Sequence, residues 1–153
     1  MAGLYFEEFE GGMVIDHAIR RTVTEMDNTL FCCLTHNPQP LHIDRHFCQT
    51  QTEFGQPLMN SLFTLGLTIG ISVNDTTLGT TIANLGMSEV KFPHPLFQGD
   101  TVHVRTTILG KRESRSRPDA GIVDFQHEAF NQDDVLVAVC NRQGFMRKRP
   151  AAS

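Results

Sequence analysis

The spacing of apolar residues changes period once along this chain, at Asn74-Asp75. Ahead of that point Leu58, Leu62, Leu65, Ile69 and Val73 recur every three or four residues, with Met59, Phe63 and Leu67 beside them. This spacing predicts a helix from Pro57 to about Val73, the longest in the chain. Most of its circumference is apolar, so the expectation is a buried helix. After the break the period falls to two over Thr80 to Phe92, Asp100 to Arg112, Gly121 to Asn131 and Val135 to Met146, which predicts four strands. In the second of these Val102, Val104, Thr106 and Ile108 share one face, with His103, Arg105 and Thr107 on the other. Turns are expected at Pro93 to Gly99, Arg117 to Gly121 and Asn131 to Asp134.

The N-terminal third is less regular. Met13 to Val23 reads as an extended segment, and Thr24 followed by Glu25 opens a short helix to about Leu34. A proline-rich turn comes next. Asp44 then caps a short helix over Arg45 to Thr52, and Phe54-Gly55-Gln56-Pro57 stops it and opens the long one. An antiparallel sheet wrapped round one long apolar helix accommodates all of these elements. The fold class is therefore α+β, as a single domain over residues 1–153 with its core from about 13 to 146.

Composition narrows the function. With 153 residues and 40% apolar content there is enough for one core and no sign of a second. A net charge of −4 speaks against a general affinity for nucleic acid, although Arg147-Lys148-Arg149 and the segment from Lys111 to Arg117 are locally basic and suited to a small anion. The N-terminus carries acids where a secretory signal has bases, and no apolar run reaches the roughly 20 residues that span a bilayer. A soluble, cytoplasmic protein without a membrane partner is expected. Cys32, Cys33, Cys48 and Cys140 lack paired CxxC spacing, and are read as reduced and mostly buried.

The candidate chemistry gathers in Asn37-Pro38-Gln39-Pro40-Leu41-His42-Ile43-Asp44. Two prolines hold the backbone, and a histidine is suited to proton transfer near neutral pH. The ring of His42 could equally satisfy local backbone. Asn37 cannot accept a proton, but its amide can orient a water or a carbonyl, or simply close a turn. His42 and His46 stand at i, i+4 around Asp44, yet the HExxH pattern is absent and no third ligand is suggested, so no metal is expected. His36 is read as exposed, and Cys33 and Cys48 as small buried residues rather than nucleophiles. Asn60 and Ser61 fall in the first turn of the long helix, where free N–H groups favour negative charge or serve ordinary capping. Arg112, Arg115 and Arg117, interleaved with serines, suit a phosphate or a solvated loop. Phe92 to Asp100 reads as a connection whose prolines and Gly99 set geometry rather than chemistry.

With these residues in place the chain resembles the MaoC-like dehydratases, relatives of R-specific enoyl-CoA hydratases, over roughly Met13 to Met146. Their hydratase motif is matched in register by Thr35 to His42, with Cys48 at its small-residue position. Phe54-Gly55, Asn60-Ser61-Leu62 and the turn from Pro95 to Asp100 match the family downstream. The resemblance implies a hot-dog fold, a homodimer and an acyl-CoA substrate, with coenzyme A carried by the substrate and no separate cofactor. In the family an aspartate and a histidine hold one water. Here the aspartate position falls on Asn37 and the histidine position on His42.

General-base help is worth about 10²- to 10⁴-fold, and an amide does not supply it. The resemblance therefore leaves three outcomes: His42 as sole acid/base with Asn37 orienting, Asp44 as replacement base, or binding without fast turnover. The implied reaction is reversible addition of water to a 2-enoyl thioester, with Gln39, Asn60 and Ser61 on the substrate and the Ser61 N–H on the developing oxyanion. Arg112, Arg115 and Arg117 would meet CoA phosphates or a substrate carboxylate. The Asn-Pro-Gln-Pro-Leu-His form and the Arg-Glu-Ser-Arg-Ser-Arg-Pro segment resemble the mesaconyl-CoA or itaconyl-CoA hydratase-like branch. The rivals are a hot-dog thioesterase and a non-catalytic acyl-CoA-binding module.

Overall fold

The computed structural model describes residues 3–150. Chain order gives β1 (Val14–Asp16), β2 (Arg21–Thr22), α1 (Glu25–Leu34), α2 (Pro40–Ile43), α3 (Arg45–Gln51), α4 (Ser61–Thr76), β3 (Thr81–Lys91), β4 (Thr101–Glu113), β5 (Ala120–Phe130) and β6 (Leu136–Arg147). The four long strands each lie within one residue of the period-two expectation at both ends. They form one antiparallel sheet in the order β1-β4-β5-β6-β3, with β2 also on β4. Helix α4 packs across β4, β5 and β6, which makes this the expected α+β hot-dog domain.

On β4 the face of Val102, Val104, Thr106 and Ile108 is the buried one, each at most 1% exposed. One apolar cluster joins Val102, Val104, Ala129, Val137 and Ala138 of the sheet to Ile71 of α4, Met59 and Leu96. A second joins Ile108, Val123, Phe125 and Met146 to Phe6 and Phe9. The core therefore begins well ahead of residue 13. Phe6 lies so close to Gly121 that a β-carbon there would stand 2.2 Å from its ring.

The long helix departs from expectation twice. It starts at Ser61, not Pro57, because Leu58 is held extended by a bridge to Phe97 and the Met59 N–H donates to the Leu96 carbonyl (2.9 Å). Its sheet-facing stripe is also hydroxylic: Thr64, Thr68, Ser72 and Thr76 are buried, while Leu62 is 62% exposed. Each hydroxyl donates to a carbonyl three or four residues back, at 2.6–3.2 Å, so these small side chains enter the core already satisfied. The apolar flanks of α4 remain only partly covered.

Strand β3 is similarly open. It pairs only with β6, and Leu85, Met87 and Val90 are exposed along it. The expected first extended segment, Met13 to Val23, survives as the two short strands β1 and β2. Among the described residues, no helix is long and apolar enough to cross a membrane.

Candidate active site

Pro40 at the first position of α2 and Gln39 as its N-cap make the proline-rich turn a single helical turn, which ends at Ile43. That turn is stitched to the chain ahead of α4. The Leu58 N–H donates to the Leu41 carbonyl (3.1 Å), and His42 Nδ1 lies 2.9 Å from the Leu58 carbonyl. A carbonyl can only accept, so Nδ1 carries the proton and Nε2 is left with its lone pair.

Asn28 of α1, only 2% exposed, holds the junction together. Its amide donates to the His42 carbonyl (2.7 Å) and the Leu58 carbonyl (2.8 Å), and its Oδ1 accepts from the Asn60 N–H (2.8 Å). One side chain thus spans the histidine turn, the Leu58 bridge and the cap of α4. Sequence reasoning passed over it. The available signal was an asparagine placed inside a helix, where its propensity is poor.

His42 opens into a pocket of about 530 Å³ whose walls include Gln39, Leu41, Phe54, Met59, Ser61 and Thr64. Phe92, Pro93, His94, Pro95, Leu96 and Val137 complete the lining. The connection after β3, expected to set geometry only, therefore supplies a wall and a second histidine. His94 Nδ1 lies 3.0 Å from the Leu136 carbonyl, so it too is the protonated nitrogen and Nε2 is free. Prolines on both sides of His94 were the missed signal. The remaining walls are mostly apolar, and no carboxylate, lysine or arginine lines the pocket.

The other expected site residues are dispersed. Gln39 and Ser61 reach the pocket with His42. Asn37 lines a different hollow, of about 450 Å³, with Cys32, Cys33 and His36, and its Oδ1 accepts from the Gln39 N–H (3.1 Å) in a local turn. Asp44 accepts from the Phe47 N–H (2.9 Å) as the cap of α3 and does not line the pocket. Asn60 is the N-cap of α4 rather than a first-turn residue; its Oδ1 accepts from the Leu62 N–H (3.0 Å).

Ser61 opens the helix, so its N–H has no carbonyl within the helix to bond. Cys48 is fully buried beneath the turn, and burial, with the Asp44 carboxylate adding to it, pushes its thiol pKa up. That favours the packing role over a nucleophile. Cys32 and Cys140 are likewise buried, Cys33 is exposed, and all four are free thiols.

The arginines lie elsewhere. Arg112 and Arg115 line a hollow of about 500 Å³ at the β4–β5 hairpin, and Arg117 forks onto Asp119 at 3.0 and 2.5 Å. At about 3.3 Å per residue, β4 carries the hairpin on the order of 40 Å from Thr101, the end nearer His42. Within one chain the arginines and His42 stand at opposite ends of the sheet.

A second polar assembly crosses the core between β-sheet and α4. His17 bonds Asp75 through Nδ1 (2.8 Å) and Thr106 Oγ1 through Nε2 (2.8 Å). Thr106 Oγ1 in turn lies 2.8 Å from His127 Nδ1, and Arg142 Nε donates to His127 Nε2 (3.1 Å). His127 is fully buried, and burial, followed by the charges of Arg142 and His17, lowers its pKa from 6.5 to about 3.

Comparison with known proteins gives these geometries a context. Residues 8–129 match the model of the MaoC like domain. The chain is similar to mesaconyl-CoA hydratase of Cereibacter sphaeroides, at 31% identity over 99% of this chain and 43% of that protein. It thus spans about two-fifths of the length of this curated relative. It superimposes on a MaoC-like dehydratase from Rhodospirillum rubrum with a TM-score of 0.84 and 30% identity, covering 97% of this chain and 99% of that one. A Mycobacterium tuberculosis protein described as having a double hotdogfold shares the fold, with a TM-score of 0.88 and 24% identity, over 99% of this chain and 46% of its own.

Proposed function

Because the chain belongs to the MaoC-like domain family, we propose that it adds water reversibly across the double bond of a 2-enoyl-CoA thioester. The observation that carries this reading is His42: its Nδ1–H is tied to the Leu58 carbonyl, which leaves the Nε2 lone pair unused by a residue that lines a pocket shared with the start of α4. Nε2 takes a proton from water as the oxygen attacks C3, and negative charge develops on the thioester oxygen. The Ser61 N–H, at the positive end of α4, stabilises that charge. Coenzyme A enters only as part of the substrate. The similarity to mesaconyl-CoA hydratase supports a branched C5 dicarboxylic acyl group.

The acting unit in this proposal is a homodimer. A two-fold axis normal to the sheet, at the open edge of β3, pairs the two β3 strands antiparallel and keeps both α4 helices on one side. Their part-covered flanks, including Leu62 and Leu65, then face one another. The same rotation carries the partner's β4–β5 hairpin to the end of the sheet that holds His42. Arg112 and Arg115 would thus meet the phosphates of CoA across the interface.

The test is incubation with crotonyl-CoA and mesaconyl-CoA, followed by enoyl absorbance and free thiol. Loss of absorbance without thiol release is expected. Thiol release with the enoyl absorbance intact would make the protein a thioesterase, and neither change would make it a binding module.

A further inference from the structure

Among the described residues, the walls of the His42 pocket hold two histidines and no other titratable side chain. His94 comes from the β3–β4 connection, a separate wall from α2, and is tied down in the same way as His42. Its Nδ1–H donates to the Leu136 carbonyl (3.0 Å), and Pro93 and Pro95 restrict the backbone on either side. The ring is thus fixed although the residue is exposed. A ring anchored through Nδ1 to a carbonyl can also change charge without rearranging, since that N–H is a donor in both states and only Nε2 gains or loses a proton.

Resting on the hydratase reading above, we infer that His94 is a second catalytic histidine, the general acid that protonates C2 of the acyl group. It supplies, from another wall, the second proton-handling group that Asn37 and Asp44 do not bring to the pocket. The step balances with two imidazoles in opposite states. His42 Nε2 accepts a proton from water, the oxygen of that water bonds to C3, and the π pair moves toward the thioester as an enolate. The His94 Nε2–H bond then breaks and its proton forms the C2–H bond as the thioester carbonyl is restored. His42 loses its proton to solvent and His94 regains one, for a net addition of one water.

Such a pair requires one ring neutral and the other charged, so kcat/KM follows a bell-shaped pH profile. The experiment is the hydration of crotonyl-CoA by wild type, His94→Gln and His94→Ala across pH. Expected are a fall in kcat of about 10²-fold or more in His94→Gln, loss of the alkaline limb, an unchanged melting temperature, and partial rescue of His94→Ala by added imidazole. A rise in KM with kcat and the pH profile intact would make His94 a binding group and overturn the inference, as would variants indistinguishable from wild type. A wild type inactive on every enoyl-CoA would instead remove the hydratase reading itself.

Discussion

The rings of His42 and His127 are both held through an Nδ1–H, yet only the ring of His127 is also held at Nε2. The Nδ1–H of His42 faces a carbonyl and the residue lines an open pocket, so Nε2 keeps its lone pair. His127 must keep a lone pair on Nε2 for Arg142 Nε–H and a proton on Nδ1 for Thr106. From there the donors run in one direction: Thr106 O–H to His17 Nε2, and His17 Nδ1–H to Asp75. Protonating His127 would set two donors against each other at Arg142. One histidine therefore keeps a nitrogen without a partner and the other joins sheet to helix, and the difference lies in the partner of Nε2 rather than in the residue type.

The sharpest separation is expected from His42→Ala. It should lower the hydration kcat/KM by 10²- to 10⁴-fold, about 3 to 5 kcal/mol of barrier, with the thermal melt little changed. A large fall in melting temperature would place His42 with His127 and dissolve the contrast.

The reverse is expected of His127→Leu, which removes the acceptor of the Arg142 Nε–H and the donor to the Thr106 hydroxyl in the core. Urea unfolding should show a loss of about 2 to 4 kcal/mol. pH sharpens this result. The folded pKa of about 3 lies below the ordinary 6.5, so in that interval the unfolded chain takes up a proton that the folded chain refuses. The contribution of His127 to stability is complete above pH 6.5 and is lost as pH falls toward 3. Unfolding measured at intervals over that range should show a shallower pH dependence in His127→Leu than in wild type.

Asn28→Ala should fall between the two classes and affect both readouts. It removes three hydrogen bonds at the histidine turn, so a stability loss of about 1 to 3 kcal/mol is expected with a drop in kcat. A loss confined to stability would show that the turn keeps its geometry without Asn28.

The legibility of the chain follows the same division. Period two located β3 to β6 to within a residue; on β4 and β6 alternate burial on a one-sided sheet writes directly into sequence, while β3 carries the pattern on an exposed edge. The sheet-facing stripe of α4 was not legible because hydroxyls that bond their own helix bury at little cost, so the apolar count does not reveal which stripe meets the sheet. The same local accounting failed for Phe6 and Phe9, buried against Gly121 and Phe125 far along the chain.

At the candidate site, His42, Gln39 and Ser61 were legible because a local turn and a helix start present them. His94 and Asn28 were not, since each acquires its place from a partner distant in sequence: Leu136 for one, and Leu58 and Asn60 for the other.

By itself, then, the sequence determined the sheet, the presence of a long central helix and the family motif around His42, all of which rest on residue type at short spacing. Tertiary structure alone decided which histidines keep a free nitrogen, that Asn37 and Asp44 turn away from the pocket, and that the arginines stand at the far end of the sheet. Hydrogen-bond partners and distances across the fold set those outcomes, and neither is encoded in the spacing of residues along the chain.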